Sequence, residues 1–142
     1  MNYSTTSPSE SLDDSLPASG RACLVQLLVC ALGCCCGRTD KGKPAVPVDA
    51  LKAAWRARRL NPRVQLTLTG CLGPCDRLNV VGILTPEGTT WLGALDAPWQ
   101  FDALLEWATA VHAAGTPLPL PPALRPHVFP RFPTPSPLPS PA

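Results

Sequence analysis

Two groups of cysteines, each at the end of a short apolar run, constrain this chain more than any other feature. The first group is Cys30 followed by the adjacent run Cys34-Cys35-Cys36, and the second is Cys71 with Cys75. Each apolar run reads as a strand, so both groups fall in loops at strand ends. A fold that joins those loops converges four soft thiolates on one centre. Tetrahedral sulfur ligation suits zinc or an iron–sulfur cluster. Adjacent residues in a loop can each turn inward, so spacing alone does not choose among Cys34, Cys35 and Cys36. Cys23, early in the first run, reads as a small buried hydrophobe.

Composition sets the limits of the folded part. The chain has 142 residues and 19 prolines, and the prolines crowd toward the C-terminus. Residues 1–20 are rich in Ser, Thr and Pro, with Glu10, Asp13 and Asp14 and neither Lys nor Arg. Neither end carries a periodic apolar pattern that could offset the entropy of ordering. The expectation is a disordered acidic head over 1–20, one folded domain over 21–115, and a disordered Pro-rich tail over 116–142. A domain of that length has a thin core and gains from a metal or cluster staple. The tail strings 119–122 and 133–137 favour polyproline II, which would suit an interaction module, but composition favours an uncommitted extension over that reading.

Periodicity then orders the elements. Residues 23–30 (CLVQLLVC) are apolar on both period-2 faces, which predicts a central strand covered on both sides. Residues 34–47 form a loop punctuated by Gly37, Gly42, Pro44 and Pro47. Residues 48–59 predict a helix with Leu51, Ala54, Trp55 and Arg58 on one face, stopped at Asn61-Pro62. Residues 64–69 alternate as a half-buried strand, and the strand–helix–strand unit makes the first two strands parallel. Residues 79–84 and 89–93 flank a Pro86-Glu87-Gly88 turn as a hairpin. A last helix is expected after Asp96 as cap, with Phe101, Leu104, Leu105, Ala108 and Val111 in its stripe. Trp55 and Trp91 read as core or sheet-face residues, and Trp99 and Trp107 as interfacial ones. The order β-α-β-β-β-α gives an α/β fold of thioredoxin-like type, with a mixed four-stranded sheet and two helices.

The second cysteine loop carries a resemblance. Cys71-Leu72-Gly73-Pro74-Cys75 after Thr69-Gly70, followed by residues 79–84 and by Pro86-Glu87-Gly88-Thr89-Thr90-Trp91, resembles the thioredoxin-like 2Fe-2S ferredoxins. The same cluster domain occurs in the small subunit of respiratory complex I and related hydrogenases. Residues 34–95 most resemble a bacterial subgroup associated with cobalt chelatases of cobalamin synthesis. The resemblance covers about residues 24–113. It implies a C-x4-C and C-x3-C ligand set, and so selects Cys30, Cys35, Cys71 and Cys75 as the ligands of a 2Fe-2S cluster. The activity it implies is one-electron transfer, without enzymatic chemistry, to a redox partner protein, within cobalamin-related chelatase metabolism in that subgroup. Homodimerisation is compatible with it, since some stand-alone relatives pair through this fold.

Other chemistries find little support. A formal net charge of +2 is too weak to argue for nucleic-acid binding. The apolar run before Cys34 is too short to span a bilayer, and it follows an acidic rather than basic segment, unlike an export signal. The odd count of 7 cysteines, three of them adjacent, is a poor disulfide framework. The chain therefore reads as cytoplasmic, where cysteines serve metal or redox chemistry. Arg56, Arg58, Arg59 and Arg63 form either a solvated helix face or a dock for an acidic redox partner. His112 and His127 do not fit a cluster with mixed histidine ligation. Two rivals remain open. One is a structural zinc site, since both cysteine spacings fall within the zinc range. The other is a thiol-based redox or metal carrier, although its usual C-x-x-C is missing.

Overall fold

The structure, a computed structural model, describes residues 19–31, 33 and 36–133. Cys34, Cys35, the acidic part of the head and the last prolines lie outside the described residues. The chain forms a mixed α/β unit: β1 (Val25–Cys30), α1 (Val48–Ala57), β2 (Val64–Thr69), β3 (Val81–Thr85), β4 (Gly88–Leu92), α2 (Pro98–Ala114) and β5 (Val128–Phe129). One five-stranded sheet runs in the order β2-β1-β3-β4-β5. β1 pairs parallel with β2 and antiparallel with β3.

The core forms on one side of β1. Val25, Leu27 and Val29 are fully buried with Leu51 and Trp55 of α1 and with Phe101, Leu104, Ala108 and Val111 of α2. Trp55 also donates its indole N–H to the Val64 carbonyl at 2.8 Å, which ties α1 to β2. The expectation of a first strand covered on both faces is met fully on one: on the alternate face Cys30 is buried while Gln26 and Leu28 are half-buried. Trp91 lies over Gly82 on that second face, in contact distance of any side chain placed there.

Two local expectations need correction. Asp96 is not the cap of the last helix. Ala97 holds that position, and its N–H is satisfied by the Gln100 side-chain oxygen at 2.9 Å. The Gln100 oxygen reaching back from the first turn is the second half of a capping box, satisfying the N–H of the cap residue. Trp107 is not interfacial. It is buried, and its indole N–H is shared between the Leu118 and Pro119 carbonyls, both at 3.1 Å.

That last contact marks the largest difference from the sequence reading. The segment after Gly115 does not leave the domain. Leu124 is fully buried in the main core, and Leu118 and Leu120 pack against it. Residues 128–129 then add β5 beside β4, pairing Trp91 with Phe129 and Leu92 with Val128. His127 fixes this return: its ring nitrogens contact the Gly93 carbonyl at 2.9 Å and the Gln100 amide at 3.0 Å. The sheet has five strands rather than four for this reason. Proline-rich chain can pack without helix or ladder when its interspersed leucines reach a core and its carbonyls accept side-chain donors.

Candidate metal centre

The sheet register carries the two cysteine groups to one place. In the parallel pairing Cys30 stands opposite Thr69. Parallel neighbours end on the same side of a sheet, so the loops after β1 and β2 emerge together. Gly33 sits against Cys71: a Cβ added at Gly33 would lie 3.0 Å from both the Cα and the N of Cys71. The approach is backbone to backbone, and a residue without a side chain permits it. Cys30, Cys36, Cys71 and Cys75 then line a single cleft, closed by Leu72, Pro74 and Val80.

The sulfurs within the cleft fall into pairs. Cys71 Sγ and Cys75 Sγ are 3.3 Å apart. Cys30 and Cys36 are both buried, and the Cys36 thiol lies close enough to Cys30 to raise its pKa. The Leu72 backbone N–H is directed at the Cys30 sulfur, and Cys71 is close enough to act on it. Among the described residues no three Cys, His, Asp or Glu side chains gather around one point as a single-ion site would require. Cys71 is exposed, so the second pair forms the mouth of the cleft and the first its floor. Cys23 is half-buried and does not line the cleft.

Burial pushes the Cys30 thiol up to about 12; the hydrogen bond to Cys36 and the repulsion between the two sulfurs add to it, and the Leu72 N–H opposes. Without a cation in the cleft Cys30 stays a neutral thiol at any ordinary pH. The unfolded thiol ionises near 9.0. Between 9.0 and about 12 the unfolded chain therefore holds fewer protons than the folded one, and stability falls as pH rises through that window. Urea denaturation of the reduced, metal-free protein is expected to give the same midpoint at two pH values below this window and a lower midpoint within it. Cys30→Ala should flatten that slope.

One polar residue organises the first cysteine loop from below, and the sequence reading treated it as the start of a strand. Asn79 is buried, with φ of 59°, and precedes β3 rather than belonging to it. Its side-chain oxygen accepts from Gly37 N–H at 3.0 Å, and its amide donates to Leu95 O at 2.7 Å and Pro44 O at 3.2 Å. It thereby anchors both ends of the 37–44 loop to the strand entry below the cleft. Asn tolerates the left-handed region better than most side chains. Asn79→Ala is expected to cost about 2–4 kcal/mol in urea denaturation, because it leaves several buried backbone groups unpaired.

Two of the four clustered arginines, Arg58 and Arg63, are engaged in contacts between elements of the fold. Arg58 contacts both oxygens of Glu106, at 2.9 and 3.1 Å, and Arg63 donates to the His112 carbonyl at 3.0 Å. Of the residues selected from sequence, the cleft contains Cys30, Cys71 and Cys75. Cys35 lies outside the described residues, and Cys36 lines the cleft beside them. No helix among the described residues is long and apolar enough to cross a membrane. No family model, curated protein or solved structure matches the chain.

Proposed function

We propose that the cleft holds a 2Fe-2S cluster and that the protein is a one-electron carrier of the thioredoxin-like ferredoxin kind. The observation that carries this reading is the pairing of the sulfurs. A two-iron rhomb takes two thiolates at each end, whereas a zinc ion draws four to one point. Cys71 and Cys75, 3.3 Å apart, supply one such pair, and Cys30 and Cys36 line the same cleft as candidates for the other. A backbone N–H aimed at Cys30 is the kind of donor that stabilises an anionic sulfur ligand.

The chain's own residues have distinct parts in this reading. Cys30 and Cys36 form the shielded floor, and the adjoining Val80 and Leu72 exclude water from it. Cys71 and Cys75 form the rim that a partner would approach. The cluster, when bound, supplies reversible one-electron storage. The resemblance implies Cys35 as the fourth thiolate, and Cys36 lines the cleft as a further candidate.

Iron and acid-labile sulfide analysis after anaerobic expression, with EPR after dithionite reduction, tests the reading. The expected result is two irons and two sulfides per chain. One zinc per chain without labile sulfide would turn the assignment to a structural zinc site. Cys71→Ser is expected to abolish or shift the EPR signal, and Cys35→Ser to do the same while Cys36→Ser keeps it. The reverse pattern for the last two would make Cys36 the ligand.

A further inference from the structure

The segment that returns after Gly115 delivers a cation to the cysteine rim. Arg131, two residues past β5, has its guanidinium carbon 5.5 Å from the centre of the Trp91 ring and 5.8 Å from that of Phe132. Its Nη2 lies so close to Gly73 that a Cβ there would come within 2.6 Å of it. Gly73 is the middle of the Cys71–Cys75 loop, so the guanidinium rests on the loop itself. Arg77, in the turn that follows Cys75, sits 5.4 Å from the Phe129 ring centre. Neither arginine is in an ion pair among the described residues. Stacking on an aromatic face holds an arginine in place without neutralising it.

Around these two cations lies an apolar platform. Phe132 is 75% exposed and Val128 45% exposed. With Trp91, Phe129 and Pro130 they line a groove beside the rim. Asp76 is the single carboxylate within residues 70–78, against Arg77 and the incoming Arg131. The face presented next to the exposed Cys71 is thus aromatic and cationic.

We propose that this Arg77–Arg131 face is the docking surface for an acidic partner protein, one that presents Asp and Glu carboxylates around its own redox centre. The inference rests on the electron-carrier reading for the identity of the partner, but not for the charge of the surface. Complementary charge raises the encounter rate and fixes orientation. Exposed aromatics next to the arginines supply contact area once water is expelled.

The test uses the reduced, metal-free full chain, so that it does not depend on the cluster. Cys71 is alkylated with iodoacetate, an anion, and separately with neutral iodoacetamide, and modification at that residue is followed by mass spectrometry. Both reagents attack the same thiolate, so a change in thiol acidity cancels in the ratio of rates, and the ratio reads the local potential. The ratio is expected to fall with added salt, and to fall about two- to fivefold in the Arg77→Gln/Arg131→Gln double variant, with Arg131→Lys close to wild type. A poly-glutamate peptide should protect Cys71 from iodoacetamide at low salt, and poly-lysine should not. An unchanged ratio in the double variant, or equal protection by the two peptides, overturns the proposal. A positive result in a chain that binds no iron leaves the acidic docking surface standing and removes the carrier reading.

Discussion

A chain ended at Gly115 is expected to be unfolded or aggregated, although the sequence marks the following residues as a dispensable tail. The cut removes Leu124 from the main core and strips Leu118 and Leu120 from its surface. It removes the two carbonyls that receive the Trp107 indole N–H and the histidine that joins Gly93 to Gln100. It also exposes β4, with Trp91 and Leu92, as a bare sheet edge. Burying a leucine-sized side chain is worth about 1.5–3 kcal/mol, and each orphaned buried polar group costs about 1–3 kcal/mol. Several such losses together match the whole margin of a small domain, about 5–15 kcal/mol. Circular dichroism and tryptophan fluorescence of the truncated chain check this, with the full-length protein as the control. Leu124→Ala isolates the core term, and about 2–5 kcal/mol is expected from urea denaturation.

The same segment explains how far the fold was legible. Strong periodicity and turn chemistry were enough for β1, α1, β2, the β3–β4 hairpin and α2, because each uses local rules: alternation, a 3.6-residue stripe, or Pro-Glu-Gly at a turn. The strand–helix–strand order was also enough to make β1 and β2 parallel, which alone sends both cysteine loops to one end of the sheet. Residues 116–133 obey no local rule. Proline spacing hides three leucines whose value is set by a cavity that α2 and the sheet create. Asn79 was missed for a related reason. An asparagine before an apolar run looks like a strand start, and only the completed fold reveals carbonyls of Pro44 and Leu95 within reach of its amide. Cys36 was among three adjacent candidates, and the direction each faces depends on backbone angles that residue type does not determine. Gly33, beside the same run, carried the clearest signal that the reading passed over. A glycine just before a cysteine cluster marks a close backbone approach.

Replacing Gly33 is therefore expected to separate the site from the fold. The site it would occupy is bounded by backbone, the Cα and N of Cys71 at 3.0 Å and its Cβ at 3.2 Å. Backbone cannot rotate away as the end of a flexible side chain can, so the 71–75 loop must move. Alanine demands a shift of a few tenths of an ångström, and valine, with two further methyls, demands more. The main core includes neither Gly33 nor Cys71. The loss in global stability should thus stay near about 1–3 kcal/mol, while the convergence of the sulfurs is lost. On the proposal that the cleft holds a cluster, iron and labile sulfide per chain are expected to fall in Gly33→Ala and to vanish in Gly33→Val, with far-UV circular dichroism unchanged. A second readout needs no metal. When the loop withdraws, the Leu72 N–H and the cover over Cys30 go with it, so Cys30 should react with iodoacetamide in the valine variant at a pH where the wild-type thiol is inert. If Gly33→Val kept full cluster content with Cys30 still protected, the contact between the two loops would not be what assembles the site, and the pairing of sulfurs would need another cause.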